Sequence, residues 1–158
     1  MSLTRERAIL VPVQHLHHDS TGDLLMSAAR MLRRRFSAAL EEYDVTPWQS
    51  RALRAVTEEP GVRLSVIAER LRIAPRSATD VVDALERRGL VVRQSDPADR
   101  RATCVAPTEE GIRLRTLIDA ARHRELDGFN SHLSETDRAQ LDRILRLVVA
   151  ELSASESA

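Results

Sequence analysis

The feature that most constrains this chain is a change of period between Leu64 and Ala106. Ser65 reads as the cap of a short helix that runs to Leu71. Arg72, Ile73 and Ala74 make a tight turn, and Pro75 opens a second helix that Gly89 ends. The apolar spacing then drops to that of strands. Leu90–Gln94 and Ala102–Ala106 are short β-branched runs on either side of the charged, turn-rich segment Ser95–Arg101. Two helices joined by a tight turn and followed at once by a hairpin have an obvious physical use. The second helix fits a major groove, and the hairpin loop reaches the neighbouring minor groove. The expected fold is mainly α with a small β-hairpin wing.

Long helical patterns flank this unit. The first runs from about Asp23 to Tyr43, with Leu25, Ala28, Leu32, Phe36, Ala39, Leu40 and Tyr43 on one stripe and Arg30, Arg33, Arg34 and Arg35 mostly on other faces. Thr46-Pro47 opens the next, and Pro60-Gly61 stops it. Thr108 caps a helix carrying Ile112, Leu114, Leu117, Ile118, Ala121 and Phe129. The last helix follows Ser134, with Leu141, Ile144, Leu145, Val148 and Leu152. These end helices have broad apolar stripes and little domain left to cover them, so they are expected to cover each other across a two-fold axis in a homodimer. The implied organisation is an N-terminal arm over 1–19, dimerisation helices over 20–45 and 108–153, a helix-turn-helix lobe over 46–107, and a polar tail over 154–158.

Composition removes most enzyme chemistry. All 24 basic residues are arginine, so lysine catalysis, Schiff bases and a phosphate-loop lysine are excluded. The single Cys104 excludes a disulfide framework and a multi-cysteine zinc site. No nucleophile elbow, paired metal ligands or glycine-rich phosphate loop is present, and His123-Arg-Glu125 lacks the downstream cysteine pair of a zinc deaminase. No cofactor or metal is expected. His15, His17 and His18 have no cysteine or carboxylate at ligand spacing, so they read as part of a flexible or interface arm. The apolar run Ala8–Val13 is shorter than a signal-peptide core or a membrane span, so a soluble, cytoplasmic protein without a membrane partner is expected. Net charge is zero, but residues 64–107 hold eight arginines against six carboxylates, the most basic third of the chain.

Three segments together resemble the MarR family of winged helix-turn-helix transcriptional regulators. They are Leu64-Ser-Val-Ile-Ala-Glu-Arg-Leu71, the helix from Arg76 to Leu90, and the loop Asp96-Pro-Ala-Asp-Arg-Arg101. The likeness runs from about Asp23 to Leu152. It implies a homodimeric transcriptional regulator of repressor type, bound to double-stranded DNA at a pseudo-palindromic operator. Helix 75–88 would lie in the major groove and wing 95–102 at the minor groove. The wing motif keeps Asp99 and Arg101, and Thr108 matches, but Pro107 replaces the family's leucine and is expected to close the hairpin early. Asp80 stands where a basic residue is common, and Ala74 offers no capping oxygen.

The candidate DNA contacts are Arg76, Ser77, Thr79 and Asp80 on the recognition helix, Ser65 on the helix before it, and Arg100 and Arg101 at the wing tip, with Asp99 orienting Arg101. Asp80 is read equally well as a plain solvated residue. The resemblance also implies a pocket for a small aromatic or phenolic effector between the lobe and the dimerisation helices. Trp48 and Arg30 are its candidate lining, against a core or interface role for the tryptophan. Cys104, mid-strand, reads as structural rather than as a redox switch. The competing class is a winged-helix module that binds a protein partner and has lost DNA binding, kept open by zero net charge and Asp80.

Overall fold

The computed structural model describes residues 20–96, 99 and 102–156; His15, His17, His18, Arg100 and Arg101 lie outside them. The described elements are α1 (Thr21–Glu41), α2 (Pro47–Glu58), β1 (Val62–Arg63), α3 (Leu64–Leu71), α4 (Pro75–Arg87), β2 (Val91–Ser95), β3 (Thr103–Pro107), α5 (Glu109–Asn130) and α6 (Glu135–Glu156). Local chemistry sets most of the boundaries. Ser20 and Thr46 form reciprocal capping boxes with Asp23 and Gln49, and the Thr108 hydroxyl accepts the Gly111 N–H at 3.0 Å. The Ser20 hydroxyl and N–H bonds hold the Asp23 carboxyl below its ordinary range. Gly89, at φ 67°, turns the chain from α4 into β2.

The sheet has three antiparallel strands in the order β1-β3-β2, with Val62 opposite Val105 and Arg93 opposite the same valine on the other side. The sequence showed only the hairpin, because β1 is too short to display alternation. Its presence also corrects the reading of Ser65. The strand feeds directly into α3, the extended Arg63 takes the cap position without a side-chain bond, and Ser65 falls inside the first turn. Pro107 does not close the hairpin early either. It pairs with Val91, and the next rung is the Thr108 N–H to the Leu90 carbonyl at 3.1 Å. Alternate residues of an antiparallel ladder turn their N–H away from the partner strand, so the proline costs β2 no donor. At the far end, α6 continues through Ser153 to Glu156, past the expected start of the polar tail.

Leu53, Val56, Val62, Ile67, Val82, Leu85, Val91 and Val105 are fully buried and form one core between α2, α3, α4 and the sheet. Leu40, Leu114 and Ile118 join it from α1 and α5. The core therefore fixes α4 and the wing on one side and leaves α6 outside it. No helix among the described residues is long and apolar enough to cross a membrane.

Candidate nucleic-acid interface

Helix α4 buries Ala78, Val82 and Leu85 and turns Arg76, Ser77 and Asp80 to solvent. Thr79 is half-buried, and its hydroxyl donates to the Pro75 carbonyl at 3.1 Å. Ala74 supplies no side-chain cap and Pro75 has no N–H, so the first turn of α4, with exposed Arg76 and Ser77, carries N–H groups that no capping side chain takes. A helix N-terminus in this state attracts a phosphate, and an adjacent arginine suits a phosphate or a base edge. Ser65 is also exposed, in the first turn of α3.

The carboxylates further along α4 are engaged by β2. The Arg93 guanidinium meets Asp83 at 2.5 Å and also binds Glu86, whose carboxylate accepts the Arg93 backbone N–H at 3.1 Å. Burial works against the Arg93 charge, but the bonds from Glu86 and Asp83 outweigh it and hold the group above its ordinary pKa. Two of the acidic residues that would repel phosphate are thus neutralised, and the same clamp makes the recognition helix and the wing one body. Asp80 remains exposed.

The base of the wing is organised by a residue the motif reading passed over. Asp96 is buried, and its carboxylate accepts from Arg63 Nε at 2.6 Å and from the Asp99 N–H at 3.2 Å. Its own N–H donates to the Ala102 carbonyl, and the Ala102 N–H donates to the Asp99 carbonyl at 2.8 Å. The Asp96 bond raises the Arg63 pKa. Asp96 thus ties the wing to β1, and Asp99 serves this turn with its main chain. The dipeptide Asp96-Pro97, a turn initiator, was the available signal. Its arginine partner, 33 residues earlier, had none.

Cys104 is buried on β3 between β1 and β2. Burial pushes its thiol pKa up, the Asp96 carboxylate adds to this, and Arg63 partly opposes it. The neutral thiol therefore persists above its usual range, as a structural residue requires. Cys104 is expected to react with iodoacetamide at pH 8 roughly tenfold more slowly in the native protein than after denaturation, since both access and thiolate are reduced. Equal rates would remove the structural assignment.

A cavity of about 340 Å³ lies where α1, α2 and α5 meet. Phe36, Leu40, Pro47 and Ile118 give it an apolar floor. Arg33, Arg51 and Arg122 stand among its lining, which contains no carboxylate. Trp48 and Arg30 are not part of it. Trp48 is exposed, with the Arg51 guanidinium 5.1 Å from its ring centroid, and Arg30 bonds Ser27 beside a separate groove on α1. The two residues do not meet at this cavity: α2 leaves the indole exposed, and Arg30 lies earlier along α1 than Arg33 of the cavity wall.

The recognition helix, its short partner α3 and the three-stranded wing define a winged helix-turn-helix protein. A profile of the MarR family matches residues 43–102. The regulatory protein assigned to the hcr operon of Thauera aromatica is 32% identical over 65% of this chain, which spans 61% of that protein's length. The homoprotocatechuate degradative operon repressor of Escherichia coli is 30% identical over 70% of this chain and 76% of its own length. The crystal structure of a MarR-family transcriptional regulator from Rhodococcus sp. RHA1 superposes with a TM-score of 0.68 at 30% identity, covering 80% of this chain and 90% of that one. The chain belongs to the MarR family, whose members are DNA-binding transcriptional regulators and not enzymes.

Proposed function

We propose that the protein is a homodimeric, cytoplasmic repressor that reads a pseudo-palindromic operator with α4 in the major groove and wing 95–102 at the minor groove. The observation that carries this reading is the uncapped, solvent-facing first turn of α4, with Arg76 and Ser77 exposed on a helix otherwise fixed by the core. The Escherichia coli relative, by name an operon repressor, supports repression. The cavity between α1, α2 and α5 supports release by a small aromatic or phenolic ligand with an acidic group. It pairs an apolar floor with three guanidiniums, and a ligand there would bear on α1 and α2 together.

Arg76 and the wing arginines have separable duties. Arg76 is assigned to guanine O6 and N7, a contact worth about 1–3 kcal/mol of discrimination, so Arg76→Ala is expected to relax preference at one symmetric pair of positions. Arg101, with Arg100, is assigned to the minor groove, where potential and width govern binding. Arg101→Ala is expected to weaken binding while leaving the major-groove consensus. Ser65, Ser77 and Thr79 are assigned to backbone positioning, and Asp80 to a cytosine amino group. Selection of bound fragments from random duplex DNA, on wild type and both arginine variants, checks these roles. Equal, sequence-independent losses would reduce Arg76 to a phosphate contact. Failure of the wild type to select any symmetric site would favour the partner-binding module, which the exposed Asp80 suits.

A further inference from the structure

Helices α1 and α4 face each other across an open groove bounded by Ser37, Glu41 and Asp44 on one side and Ala84 and Arg88 on the other. Arg88 spans the gap. It is the C-cap residue of α4, exposed, and its guanidinium forks to two main-chain carbonyls, Tyr43 at 3.0 Å through one nitrogen and Asp44 through the other. Both carbonyls belong to the turn that ends α1, where unsatisfied carbonyls collect partial negative charge and Asp44 holds φ at 52°. The fork is planar and two-pronged, so it fixes direction as well as distance. The core holds α4 along its length through Ala78, Val82 and Leu85, and Arg88, just past the last turn, ties that core-fixed lobe to the turn that ends α1.

We infer that Arg88 is a positioning residue: it sets the angle of the recognition helix against α1, and through it the half-site spacing that the dimer accepts. The inference rests on the dimeric reading proposed above. In a two-fold dimer the long helices hold the two lobes apart, so the pose of each recognition helix relative to α1 becomes the separation and twist of the pair. One base pair inserted between half-sites moves the second by about 3.4 Å and turns it by roughly 35°. A rigid pair of heads rejects that change, whereas heads freed from their tie to the end of α1 tolerate it. Arg88 makes no contribution to the face that Arg76 and Ser77 present, so base preference within a half-site is independent of it.

The test uses the full-length protein and the symmetric site recovered from random duplexes, with native spacing and with one base pair inserted or removed. Wild type is expected to bind the altered spacings far more weakly. Arg88→Gln is expected to lose about tenfold on the native spacing, because the competent pose is populated a smaller fraction of the time, and to lose much of the penalty for the altered ones. Arg88→Lys, which keeps charge without the fork, falls between. Without DNA, spin labels on Ser77→Cys in both protomers should give a narrow distance distribution that broadens in the Arg88→Gln background. A uniform loss across all spacings, or an unchanged distribution, overturns the positioning role. A wild type that yields no inter-protomer distance and no spacing preference overturns the dimeric reading, and this inference with it.

Discussion

Gly111→Ala is expected to destabilise the protein by about 3 kcal/mol and lower its unfolding midpoint by roughly 10 °C. Helix propensity alone predicts the opposite sign, since alanine is favoured over glycine in a helix by about 1 kcal/mol. Gly111 lies in the first turn of α5, against the start of β2. A Cβ there falls 2.0 Å from the Leu90 carbonyl oxygen, 3.0 Å from its carbon and 3.4 Å from Leu53 Cδ1. The first two atoms are main chain and cannot rotate aside. Moving them also breaks what they hold, because the Leu90 carbonyl accepts the Thr108 N–H at 3.1 Å. The Thr108 hydroxyl in turn donates to the Gly89 carbonyl at 2.6 Å and accepts the Gly111 N–H. One methyl group therefore strains the helix cap, the end of the hairpin and the core leucine together. Gly22→Ala is the control: among the described residues nothing lies nearer its added carbon than the Ser20 hydroxyl at 3.6 Å. Thermal melts followed by far-UV dichroism decide the matter. A Gly111→Ala protein as stable as wild type would mean that α5 and β2 do not approach so closely.

That junction also shows which parts of the fold were legible in the sequence. The starts of α2 and α5 were, because their chemistry is local: Thr46 and Thr108 sit at the heads of those helices with their partners three residues on, whereas α1 begins at Thr21 behind a Ser20 cap, ahead of the expected Asp23. The hairpin was, because its period differs from everything around it. Strand β1 was not, since two residues carry no period, and its direct continuation into α3 misplaced the Ser65 cap. The end of α6 was overrun because the segment from Ser153 to Glu156 contains neither glycine nor proline to stop a helix, and Ser155 returns its hydroxyl to the Glu151 carbonyl at 3.0 Å.

The site divides the same way. The exposed face of α4 follows from its apolar stripe, so Arg76, Ser77 and Asp80 were identifiable as a surface. Their use on DNA was implied by family resemblance, not by the pattern. The arginines that join elements, Arg63 to Asp96, Arg93 to Asp83 and Glu86, and Arg88 to the end of α1, were invisible. Each pairing depends on how whole elements cross, and in a chain with 24 arginines no single one stands out. Trp48 and Arg30, proposed together from the sequence, do not meet at the cavity between α1, α2 and α5. Periodicity assigns a residue to a face of its own helix, whereas a pocket needs the angle between two helices.

The largest effect on DNA binding is expected from Ile144→Glu combined with Val148→Glu on α6. Ile144, Leu147, Val148, Val149 and Leu152 are all exposed in the single chain, Leu152 by 62%, and Leu24, Leu25 and Met31 are exposed on α1. Ile144 and Val148 lie four residues apart on one face, continued by Leu141, Leu145 and Leu152. An apolar surface of this extent marks an interaction site, and a second copy of the same helix about a two-fold axis is self-complementary to it. Glutamates at these positions remain hydrated in a monomer, and the core, which α6 does not join, is untouched. In a dimer they put four carboxylates into an apolar seam, where each is costly to desolvate and repels the others. The variant is expected to sediment as a monomer at low micromolar concentration with the helical dichroism of α1 to α5 retained. Each half-site must then be bound independently, and operator affinity should fall by about 10²- to 10⁴-fold through the loss of effective concentration alone. The residual binding should keep wild-type base preference within a half-site, because α4 and the wing are untouched. A variant that stays dimeric would move the interface away from α6. A monomer that binds the operator as tightly as wild type would show that the two heads do not act together, because no remaining contact could replace the tether.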